Sequence, residues 1–188
     1  MPTRPSLVLL LGVTALSILP GAFFRGRRRF SGQTRELVAY RSALAAHTRR
    51  VDSILTDLGD LVDALRRRAV DIDEAVDRLA AGEDELDGIA DEMREMAAPE
   101  DLHALHLEYE ANLERALRGI VTAERGCGLT RQRHRPPDDE EPPMYWKRGQ
   151  ANIVHARMRM EEVVEVMLAW EPGRPTVANV TARVRKEI

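Results

Sequence analysis

Stepping along residues 37–96 by alternating threes and fours gives Leu37, Tyr40, Leu44, His47, Val51, Ile54, Leu58, Leu61 and Leu65. The same phase continues through Arg68, Ile72, Ala75, Leu79, Gly82, Leu86, Ile89, Met93 and Met96. Only His47, Arg68 and Gly82 interrupt an otherwise apolar stripe. A stripe of that period belongs to an α-helix burying one face in coiled-coil fashion, not to a strand, whose side chains alternate every second residue.

The charge pattern divides this long stretch. Arg66-Arg67-Arg68 puts cations where a helix C-terminus favours them. Asp71 then stands three residues before Glu74, the spacing of a capping box. The expectation is a turn near Ala69–Asp71, separating helices over about 33–68 and 72–97. Gly82 marks a possible bend in the second. Pro99 closes that helix and opens a third over about 99–125, with the seam Leu102, His106, Tyr109, Leu113, Ala116, Ile120, Ala123 and Gly126 as its stop. Residues 127–143 hold a charged, proline-rich run with no apolar residue over 130–143 until Met144, which reads as a linker. A fourth helix follows over 144–171, with Trp146, Gly149, Ile153, Ala156, Met160, Val163, Met167 and Trp170 on its seam. Residues 172–188 form a tail in which Val177, Val180, Val184 and Ile188 have amphipathic spacing. Helices of similar length joined by short links give an all-α fold, an antiparallel four-helix, coiled-coil-like bundle.

Ahead of the bundle, Leu7–Leu19 is continuously apolar or small, and Pro20–Phe24 extends it to about the minimum needed to span a bilayer. A cleaved signal peptide has a run of similar length. No small-x-small cleavage site follows this one, however, and Arg25, Arg27, Arg28 and Arg29 stand directly behind it. The reading is therefore an N-terminal membrane-anchor segment over 1–30, with those arginines at the lipid interface and Ser31-Gly32 separating it from the body. The positive-inside rule assigns the helical body to the cytoplasmic side of the cell membrane, with an exported body as the alternative.

Composition narrows the function. Hydrophobic residues make up 44%, charged residues 31% and aromatics only 4%. The formal charge of −3 gives no electrostatic reason to bind nucleic acid. It is unevenly spread: residues 71–101 carry thirteen carboxylates against Arg78 and Arg94, a local balance of −11. That stretch would attract cations or a basic partner, although acid on the back of a helix more commonly serves solvation. The single cysteine, Cys127, has no partner for an intrachain disulfide and no identifiable base to activate it.

The histidines carry the one sharp chemical hypothesis. Counting heights from the turns places His47, Met93, His106 and Met167 at one level of an antiparallel bundle, a set able to ligate haem or a soft metal. The plainer reading makes a seam histidine a core-edge residue bonded to Tyr40, Tyr109 or a backbone carbonyl. A di-iron site needs two Glu-x-x-His motifs, whereas only Glu100–His103 matches. His103, His106 and Glu110 lie on one face of one helix, a poor closed zinc site. Walker, nucleophile-elbow and dinucleotide motifs are absent from the sequence, and the Asn179 sequon has meaning only in a secretory setting. The sequence thus points to no catalytic residue and no cofactor. It describes a non-enzymatic membrane-anchored bundle that contacts lipid through its anchor and an unknown protein, or itself, through its helices. The alternative is a haem-, metal- or ligand-binding sensor or carrier.

Overall fold

The computed structural model describes residues 19–132 and 141–172, with side chains from Arg35 onward. The expectations for residues 1–18 (the apolar run), 133–140 (most of the linker) and the tail beyond 172 lie outside the described residues. Two units are distinguished, residues 1–39 and 40–188. The described part of the first is helical backbone. The second contains the packed helices.

The described residues are all-helical, without strands. Helix α1 spans Leu19–Arg66, α2 Ile72–Glu95, α3 His103–Arg131 and α4 Pro142–Ala169, with a 3-10 turn at Glu100–Leu102 leading into α3. The four pack together. Among the described residues no helix is long and apolar enough to cross a membrane.

The direction of each helix follows from its contacts. Arg50 reaches Glu92 and Leu58 meets Gly82, so α1 and α2 run oppositely. His106 bonds Met93 while Arg131 bonds Asp73, which orients α2 against α3. Gly119 abuts Gly149, and Arg159 holds Glu108 at 2.8 Å, orienting α3 against α4. Tyr40 and Met167 meet near one end of the bundle, Asp52 and Arg157 in the middle and Arg66 and Gln150 towards the other end, so α4 also runs against α1. Ion pairs cross the rim between adjacent helices, among them Arg50–Glu92, Arg131–Asp73, Arg159–Glu108 and Arg157–Asp52. Such exposed pairs contribute only about 0.2–1 kcal/mol each, so they set register more than stability.

Stability comes from the seams. Leu44, Leu79, Leu86, Leu113, Ile120 and Ile153 are wholly buried. Every seam position named for the fourth helix is buried, from Trp146 to Trp170. In α1 the buried face is wider than the stripe: Leu55 and Val62 join it, because a helix in a four-membered bundle faces two neighbours.

The turn after α1 has a defined chemistry. Arg68 takes a left-handed conformation (φ 59°), the Ala69 N–H donates to the Ala64 carbonyl (2.9 Å) and the Arg68 N–H to that of Leu65 (3.0 Å). This is a Schellman ending with arginine where glycine is usual. Asp71 then caps α2, its carboxylate accepting from the Asp73 and Glu74 N–H groups at 2.8 and 3.3 Å.

Several expected boundaries are corrected. Helix α1 does not begin at Gln33; its backbone runs through Ser31-Gly32 from Leu19, with Pro20 in the first turn, where proline is tolerated. Helix α2 ends at Glu95 rather than Ala97, and passes through Gly82 without interruption. Gly126 does not stop α3, which continues to Arg131, so 127–131 belong to helix rather than linker. The reason lies on another helix: a Cβ at Gly126 would sit 2.7 Å from Trp146 Nε1, so the glycine makes room for indole. Helix α4 starts two residues early, with proline in its first turn, and ends at Ala169.

Candidate functional site

The most polar part of the interior lies where all four helices meet, around His106. The Met93 carbonyl, near the C-terminus of α2, can only accept a hydrogen bond, and it lies 3.1 Å from His106 Nε2. This nitrogen therefore carries a proton, and in the neutral ring Nδ1 presents a lone pair. The Tyr40 hydroxyl of α1 donates to Nδ1 at 3.0 Å. The same hydroxyl lies 3.5 Å from Met167 Sδ of α4, a weaker acceptor that competes for its one proton. Glu110, one turn beyond His106 on α3, places Oε1 3.2 Å from Nε2. Burial first, then the Glu110 carboxylate and Tyr109, push the Tyr40 hydroxyl up to about 12, which keeps it a donor at neutral pH.

A cleft of about 440 Å³ opens beside this cluster. Its walls are the Met96–Ala98 connection, Leu107, Arg94 and His103, with His106 and Glu110 at its inner side. The volume falls in the range of small-molecule sites. Arg94 is turned towards Asp91 at 2.5 Å and Glu114 at 4.0 Å.

Of the four residues expected at one level, three gather around the His106–Tyr40 pair. His106 is bonded to Tyr40, Met167 touches Tyr40 through sulfur, and Met93 enters through its backbone carbonyl while its side chain is fully buried. His47 does not join them. Its Nδ1 lies 3.2 Å from Glu92 Oε2 at an angle unsuited to a hydrogen bond, beside Arg50 on the same carboxylate. His103 and His155 are exposed. Among the described residues no trio of His, Cys, Asp or Glu is arranged to hold a metal ion. The sequence had named Tyr40 and a backbone carbonyl as ordinary partners for a seam histidine, and both are found. The Glu110 contact was available from its i, i+4 spacing to His106.

Arg25, Arg27, Arg28 and Arg29 lie in the helical backbone of α1, in the segment whose side chains are not described. Cys127 is buried against Trp146, and burial pushes its thiol above the ordinary range, which makes it a poor nucleophile. Tyr109 is wholly buried. Its hydroxyl lies beside Thr48, whose own proton goes to the Leu44 carbonyl, and makes no hydrogen bond of regular geometry.

No family model, curated protein or solved structure matches this chain.

Proposed function

We propose that the chain is a non-enzymatic, single-pass membrane protein: an N-terminal anchor carrying an antiparallel, coiled-coil-like four-helix bundle whose outer surface contacts a protein partner or a second copy. One observation carries this reading. The seams are filled by their own side chains and both ring nitrogens of His106 are bonded internally, while Met144, Val154 and Met158 of α4 stand 48%, 41% and 55% exposed. Apolar surface that a fold leaves outside is the kind that association buries.

The anchor rests on the apolar run 7–24 and the arginines behind it. These arginines would face anionic lipid at the cytoplasmic surface, each contributing ~1 kcal/mol. Fractionation tests it: the full chain should float with membranes and a chain lacking residues 1–30 should not. Protease applied to intact cells, then to cells with an opened envelope, should cut the body only in the second case. Release of the full chain by salt alone would overturn the anchor.

A second reading, a haem-, metal- or ligand-binding bundle, is favoured by the cleft against His106 and Glu110. To ligate anything, His106 must give up Tyr40 on one side or Met93 and Glu110 on the other. A Soret band or stoichiometric metal in purified protein, lost on His106→Ala, would establish it in place of the first reading.

A further inference from the structure

We propose that α4 pairs antiparallel with α4 of a second copy, a step that rests on the interaction-module reading and names its partner. Helix α4 presents four arcs. Its seam faces the interior, Gln150 and Arg157 reach α1, and Arg159 reaches α3. The remaining arc points away from the bundle. Stepping by threes and fours, it reads Met144, Lys147, Ala151, Val154, Met158, Glu161 and Glu165, every one exposed.

This arc is complementary to itself. Lys147 lies in its N-terminal half, with Arg148 at its edge. Glu161 and Glu165 lie in its C-terminal half, with Glu162 at its edge. The apolar residues Ala151, Val154 and Met158 lie between. Turn a second copy about a two-fold axis between Val154 and His155. Ala151 then meets Met158, Lys147 meets Glu162, and Val154 sits at the axis beside its own copy. Glu162 already bonds Arg159 through Oε2 at 2.7 Å, which holds that carboxylate out on the rim. A parallel pair would instead set Lys147 on Lys147 and Glu161 on Glu161, a repulsion antiparallel pairing removes. One patch used by both partners is the isologous contact of a two-fold dimer. A contact of little more than four turns of one helix is small, so the dimer is weak and concentration-dependent.

The test is sedimentation equilibrium of the full chain in detergent micelles across a wide range of protein-to-micelle ratios. The expected result is a monomer–dimer equilibrium. Lys147→Glu alone or Glu162→Lys alone should weaken it roughly tenfold or more, and the two together should restore it. Met158→Asp should abolish it, and circular dichroism of that exposed-site variant should match the parent. A chain that stays monomeric throughout, or a dimer indifferent to both charge reversals, overturns this pairing. The membrane-anchored reading would survive either result, since fractionation tests it independently.

Discussion

Helices α3 and α4 meet backbone to backbone at Gly119 and Gly149. A Cβ built on Gly149 would lie 2.7 Å from the Gly119 carbonyl oxygen and 3.0 Å from Ala123 Cβ, and one on Gly119 would lie 2.9 Å from the Gly149 carbonyl. Neither obstacle is a flexible side-chain end, so Gly149→Ala forces α3 and α4 apart by a few tenths of an ångström. Gly88, on the exposed face of α2, has nothing within 4 Å. Both positions are helical, so both substitutions gain the same intrinsic preference for alanine, about 1 kcal/mol. Comparing them cancels that gain and isolates the packing cost, about 1–3 kcal/mol for overfilling a tight contact. At about 2–4 °C per kcal/mol for a chain of this size, Gly149→Ala should melt roughly 2–12 °C below Gly88→Ala. The assay is thermal or denaturant unfolding followed by far-ultraviolet circular dichroism. Gly88→Ala should exceed the parent. If Gly149→Ala stabilises as much as Gly88→Ala, the helices do not approach through these glycines and the α3–α4 packing is wrong.

Three other outcomes follow from particular groups. Arg68→Gly should stabilise by about 1 kcal/mol, read as a raised denaturant midpoint, because the left-handed position costs a side-chain-bearing residue about 1–2 kcal/mol, offset in part by glycine's greater freedom when unfolded. Tyr40 and Tyr109 are both raised from 10 to about 12, chiefly by burial. The folded state therefore holds protons that the unfolded state releases, so their contribution is intact below pH 10 and fades as pH rises towards 12, with a steepest slope of ~1.4 kcal/mol per pH unit per ring. Urea midpoints across that window should fall, and less steeply in Tyr109→Phe. Glu124 is raised by burial, then by Glu83 and Asp84, so its charged form burdens the fold at neutral pH. Glu124→Gln should raise the melting temperature at neutral pH, with the gain shrinking as acid protonates the parent's carboxyl. A gain that persists in acid would refute this cause.

The seams were readable because each buried position depends on one periodicity that neighbouring residues repeat. The turn at 67–71 was readable because arginines and carboxylates mark the two helix ends with opposite charge. What the sequence concealed depends on the facing helix. Gly126 has the local look of a helix stop, and only Trp146 across the bundle turns it into a contact point. His47 and His106 share a phase in their seams, yet one meets Glu92 and Arg50 at the rim while the other meets Tyr40 and Met93 inside. Leu55 and Val62 lay outside the stripe because a period locates one line of contact, whereas two neighbours bury a band. For the candidate site, His106, Met93 and Met167 were legible as a level, but the role of Met93 as a carbonyl acceptor belongs to the backbone and leaves no mark in the residue pattern.

His106, bonded on both ring nitrogens, is satisfied inside the bundle, and the proposed function falls to the surface. Nitrogen-15 NMR of the His106 ring in the full-length protein tests it most directly. The expected spectrum at neutral pH shows a protonated Nε2 exchanging slowly with water and an Nδ1 that accepts a hydrogen bond lost in Tyr40→Phe, unchanged when zinc or haemin is added. A ring protonated at Nδ1, a freely exchanging Nε2, or a shift on adding either ligand would contradict it.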